Sequence, residues 1–121
     1  MLILVILHAF EELSMLIEYN KLIRDKIPEI IQKAGKSYQI EIMTDDEYRK
    51  SLLNKLVEEA QETVDANPSN LRVELADLYE VIDAIMITFN ISKEDVIQIK
   101  KQRHEERGAF SKRLKLLWTE D

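Results

Sequence analysis

The chain has 121 residues, 45% of them apolar and 33% charged, with two Gly, two Pro and no Cys. One compact domain with a sizeable core and short connections is the expected class, and disulfides, thiolate nucleophiles and cysteine-based zinc sites are excluded. The net charge of −6 is uneven: residues 44–83 hold eleven acids against four basic residues, and residues 93–121 hold eight basic residues against six acids. An acidic middle between basic flanks argues against a general nucleic-acid binder and suits a cation site approached by an anionic ligand. The lack of cysteine fits a reducing cytoplasm.

The chain opens on MLILVIL, an apolar run too short to span a membrane. It has no basic n-region and no small-residue cleavage site, so it is a poor signal peptide. A helix over 2–18 is expected, packed on the domain or on a second subunit, with His8 a packing or surface residue. NKLIRDKIPEIIQKAGK then reads as an irregular basic segment feeding a short helix, with Pro28 in its first turn and Gly35 at its end. In SYQIEIM the alternation of Tyr38, Ile40 and Ile42 with Gln39 and Glu41 predicts a short strand. Thr44 caps a long helix that starts Asp45, Asp46, Glu47, acids well placed for the helix dipole. ANPSN breaks it at 66–70, and a second long helix runs from about Leu71 to Phe89. Ser92 with Asp95 resembles a capping box for a third, which Gly108 ends. The alternation over 110–118, from Phe110 to Trp118, predicts a C-terminal strand pairing with 38–43. His104 is expected to be exposed.

Two pairs of acids stand out at one-turn spacing: Glu59 and Glu62 in LVEEAQE, then Glu74 and Asp77 in ELADLY. With Leu53, Leu56, Val57, Ala60 and Val64 as the apolar stripe of the first long helix, Glu59 lies about 100° and Glu62 about 160° from its centre at Ala60, on one side. Glu58 points away and reads as solvated. On the second helix Leu71, Leu75, Leu78, Ile82, Ile85 and Phe89 form the stripe, and Glu74 sits only about 40° from Leu78, with Asp77 about 100° off. A carboxylate within an apolar face needs a proton or a partner. Lys55 and Arg72 are the few basic residues near in sequence. Antiparallel packing would bring four carboxylates together, and their all-oxygen donors select hard ions, Mg²⁺ or Mn²⁺. With no Cys and no Ser-His pair, a metal-activated water is the natural nucleophile. Glu80 and Asp83 continue the spacing and either extend the site or pair with basic residues. Tyr79 and Phe89 are core aromatics or base-stacking ones.

The pattern EAQE at 59–62 followed by ELAD at 74–77 resembles the ExxE…ExxD signature of the all-α nucleotide pyrophosphohydrolases. This is the MazG-like superfamily, which includes phosphoribosyl-ATP pyrophosphohydrolase and dimeric dUTPases. NKLIRDKIPEII at 20–31 and ERGAFSKRLKL at 106–116 look like the ends of a small single-domain branch, house-cleaning pyrophosphatases of non-standard nucleotides. The resemblance covers roughly residues 17–117. It implies an N-terminal extension over 1–14, with Met15 as an alternative start, and a single domain over 15–121. It implies a mainly α, helical-bundle all-α NTP pyrophosphatase fold, to which the alternations add a short two-stranded β element, about 38–43 with 110–118.

The implied reaction converts a nucleoside triphosphate and water to the monophosphate and pyrophosphate. Glu59, Glu62, Glu74 and Asp77 would be the Mg²⁺ ligands, with Glu59 or Glu62 doubling as base. Two Mg²⁺ leave a carboxylate site holding a triphosphate about four negative charges in excess, so basic side chains are required. Lys21, Arg24 and Lys26 from the first flank and Arg107, Lys112 and Arg113 from the second are the candidates. The second long helix is apolar almost all round, which calls for a partner, so a homodimer or higher homo-oligomer is expected. Two other readings compete: phosphoribosyl-ATP pyrophosphohydrolase of histidine biosynthesis, from which the RDKIP-type flank points away, and a non-catalytic helical dimer whose acids are a solvated face.

Overall fold

The computed structural model describes residues 16–121, in two compact units that divide between Glu41 and Ile42. Of the helix expected over 2–18, only 16–18 lie within the described residues, and these are not helical. His8 lies outside them.

The first unit carries helix α1, Ile27–Lys33, with Pro28 in its first turn, where a missing N–H costs no hydrogen bond. The helix ends in a Schellman turn. Gly35 takes φ +75°, its N–H donates to the Gln32 carbonyl at 2.9 Å, and the Lys36 N–H donates to Ile31 at 3.2 Å. A side chain at Gly35 would be strained by that backbone whatever room it found.

The second unit holds α2 (Asp45–Asp65), α3 (Leu71–Thr88) and α4 (Lys93–Arg107). Thr44 caps α2 through its hydroxyl, which accepts from the Glu47 N–H at 3.3 Å. Ser92 caps α4 in the same way by accepting from the Asp95 N–H at 3.3 Å. The break at 66–70 folds α2 back on α3 as a helical hairpin. Asn90, with φ +54°, closes α3 by a second Schellman turn, the Ile91 N–H reaching the Met86 carbonyl at 2.8 Å.

The hairpin's interior is small. Leu52, Val81 and Met86 are its buried apolar residues, and Glu59 is buried with them. No residue of α1 or α4 is buried. The face of α2 that packs is not the apolar stripe expected from the sequence. It runs through Leu52, Leu56, Glu59 and Thr63, centred about 70° round the helix from Ala60, and shares only Leu56 with that stripe. Leu53, Val57, Ala60 and Val64 are exposed, Val57 at 69% and Val64 at 77%.

The two-stranded element is a correction. There is no strand among the described residues, so neither 38–43 nor 110–118 forms one. Alternating side chains make a strand only where the backbone stays extended and finds a partner. The second run is interrupted by a turn in which the Arg113 N–H donates to the Phe110 carbonyl at 3.0 Å and Arg113 takes φ +56°. Both runs lie largely open to solvent, Ile42 and Phe110 each at 97%.

Candidate metal centre

The helical hairpin decides which acids meet. On α2 the packed face centres on Leu52 and Glu59. On α3 it centres on Val81, with Glu74 two turns earlier and about 20° away. Each helix therefore aims one glutamate at the other. Glu62, three residues after Glu59, flanks that line on the solvent side. One carboxylate oxygen from each of Glu59, Glu62 and Glu74 falls within 4.8 Å of the others. Asp77 is half-buried one turn beyond Glu74 and is not part of that trio. Its charge still acts on both Glu59 and Glu74.

The electrostatics are those of acids crowded in a poorly hydrated place. Glu59 is 8% exposed, and desolvation holds its carboxyl above the ordinary 4.5. The charges of Glu62 and Asp77 push the same way, while that of Lys55 opposes them. The Glu74 carboxyl is also raised, by desolvation first and then by Glu62 and Asp77. As carboxylates none of these groups can donate to another. Oε2 of Glu59 and Oε2 of Glu74 are accordingly buried without a hydrogen-bond partner.

Two orphaned, buried acceptors in a cluster of like charge are what a bound cation would satisfy. The donors are all carboxylate oxygens from two rigid helices, a set suited to a hard divalent ion. The residues thus fit a divalent metal. Glu59, Glu62 and Glu74 are brought together, and Asp77 borders them.

The six basic candidates fare differently. Lys21, Arg24 and Lys26 are exposed in the first unit, with the Lys21 ammonium 5.9 Å from the Tyr19 ring centre. Arg107 ends α4, and Lys112 and Arg113 follow in the exposed tail. Lys55, noted in the sequence as a basic residue near the acids but given no role, is a member of this neighbourhood. Its ammonium lies 3.3 Å from Glu58 Oε2 and 3.7 Å from Glu59 Oε1. Its i, i+4 spacing to Glu59 was the available signal. Glu58, expected to be solvated, is half-buried in that pair. Asp83 pairs with Lys93 at 3.9 Å, and His104 is exposed. Tyr79 and Phe89 are exposed rather than core.

Comparison with known proteins gives one family. Residues 16–104 match the family described as phosphoribosyl-ATP pyrophosphohydrolase. The chain belongs to this family. It is therefore a nucleotide pyrophosphohydrolase, a hydrolase of phosphoric anhydride bonds, within the MazG-like all-α superfamily. The matched span includes both acid pairs and the first basic flank, and it stops before the second flank at 106–116. No curated protein and no solved structure matches the chain. Among the described residues no helix is long and apolar enough to cross a membrane.

Proposed function

We propose that the protein is a Mg²⁺-dependent nucleoside triphosphate pyrophosphohydrolase that acts on non-standard nucleotides, releasing the monophosphate and pyrophosphate. Glu59, Glu62, Glu74 and Asp77 hold the metal in this reading, and Mn²⁺ is the other ion such donors accept. The observation that carries it is the pair of buried, unpartnered oxygens on Glu59 and Glu74 within the trio of carboxylates. Burial of Glu59 also opposes the reading in which the acids are a solvated face.

A divalent cation bound there supplies charge neutralisation to the phosphates and acidity to water. The chain's own groups do the rest. Glu59 and Glu74, fixed on packed helix faces, orient their oxygens without a side-chain rearrangement. Glu62, exposed at the cluster's edge, can take the proton of the attacking water as its oxygen adds to phosphorus and the bond between the α- and β-phosphoryl groups breaks. Arg107, Lys112 and Arg113 are the basic groups proposed to meet the charge of the triphosphate.

The proposed assembly is a homodimer. A hairpin with three buried apolar side chains leaves Leu53, Val57 and Val64 of α2 and Leu75, Tyr79 and Ile87 of α3 exposed. A second copy would cover faces of that kind in a four-helix core. The test of substrate is pyrophosphate release from a panel of standard and modified nucleoside triphosphates and phosphoribosyl-ATP. Release from modified triphosphates and not from phosphoribosyl-ATP is expected. Preference for phosphoribosyl-ATP would overturn the substrate assignment and leave the reaction type intact.

A further inference from the structure

Lys55 lies one turn before Glu59 on α2, and the function proposed above gives it no task. Its side chain is 16% exposed, against 76% for Lys33 and 64% for Lys93 in two other ion pairs. The ammonium donates to Glu58 Oε2 at 3.3 Å and stands 3.7 Å from Glu59 Oε1. The second distance is too long for a good hydrogen bond, so the contact with Glu59 is one of charge, not of orientation. Glu58, which is not part of the trio, anchors the ammonium beside the buried member of the cluster.

We infer that Lys55 is the resident counter-charge of the carboxylate cluster and sets its metal affinity: the ammonium offsets Glu59 while no cation is bound and repels the divalent cation that the cluster takes up. This rests on the metal reading proposed above. The physics has opposite signs in the two states. With the cluster empty, a positive charge near a buried carboxylate stabilises the fold. With a divalent ion among the same oxygens, that charge faces another of like sign a few ångströms away. Metal binding is therefore weaker than the carboxylates alone would give. A clamp that merely oriented Glu59 would do the reverse, since its loss would loosen the site.

The test uses the full chain as wild type, Lys55→Met and Lys55→Arg, each titrated with Mn²⁺ alone at pH 8, with free Mn²⁺ followed by electron paramagnetic resonance. Lys55→Met keeps the apolar stem and should bind Mn²⁺ about tenfold more tightly, the effect of one unit charge on a divalent ion at short range in a water-like dielectric. Lys55→Arg should stay within about twofold of wild type, because it restores the charge. In thermal melts the metal-free Lys55→Met protein should be the less stable, and saturating Mn²⁺ should raise its Tm by more than it raises that of wild type. Should Lys55→Met not fold, Lys55→Gln carries the same expectation. Unchanged or weaker Mn²⁺ binding by a folded neutral variant, with wild-type binding intact, overturns the role of Lys55. Absence of Mn²⁺ binding in wild type and variants alike overturns the metal reading as well.

Discussion

The two faces of α2 invert the usual arrangement of a soluble helix. The face packed against α3 carries Glu59 at its centre and Lys55 at its side, while the face turned to solvent carries Leu53, Val57 and Val64. A buried carboxylate and an exposed apolar stripe each cost free energy in an isolated chain. The inner face makes sense if a cation joins it, and the outer face if a second copy covers it. In the proposed reading one helix serves chemistry on one side and assembly on the other.

Changes to each face should separate the two roles. Glu59→Gln removes a proposed metal ligand without changing volume. Activity should fall at least a hundredfold, the scale of losing a few kcal/mol of charge stabilisation, while gel filtration stays unchanged. Val57→Asp should do the opposite, shifting light scattering from dimer to monomer while Mn²⁺ still binds. A variant that remained dimeric would mean that another face joins the copies.

Leu52→Ala, at the inner face, should destabilise by about 2–4 kcal/mol in urea melts at any protein concentration. Leu53→Ala, next along the chain on the outer face, should cost less, and its cost should depend on concentration if a second copy covers it.

A smaller effect tests the electrostatics of the inner face. Glu59 and Glu74 have raised pKa values, so the folded protein holds their protons more tightly than the unfolded chain does. The stability this gives is fully present below 4.5 and is lost as pH rises through the raised values. In chelator, the Tm of wild type should therefore fall relative to that of Glu74→Gln as pH rises above 4.5. Excess Mg²⁺ should remove the difference, because a cation favours the ionised form.

Much of the helical layout was legible from local chemistry. Thr44, Ser92, Gly35 and Gly108 mark helix ends because capping hydrogen bonds and positive φ are settled within a few residues. The turn at Asn90 went unread, since Asn enters the left-handed region less regularly than Gly. The rotation of α2 was not legible. Its strongest apolar stripe looked like the core, and spacing within one helix gives no sign of which face α3 covers. Glu59 was placed at the edge for that reason, whereas it sits at the centre. Glu74 was legible from its spacing to Leu78, although Leu71 and Leu75, the other members of that stripe near it, lie exposed. Lys55 resembled any surface i, i+4 partner until its burial was known. The C-terminal alternation misled because its pattern cannot reveal the positive φ of Arg113.

The most direct measurement is pyrophosphate release from a nucleoside triphosphate by wild type and by Glu74→Gln, with and without Mg²⁺, alongside Mn²⁺ titrations of both proteins. Metal-dependent release by wild type, lost together with Mn²⁺ binding in the variant, is the expected result. Undiminished release by Glu74→Gln, or release by wild type that persists in chelator, would contradict a carboxylate-held metal as the centre of the reaction.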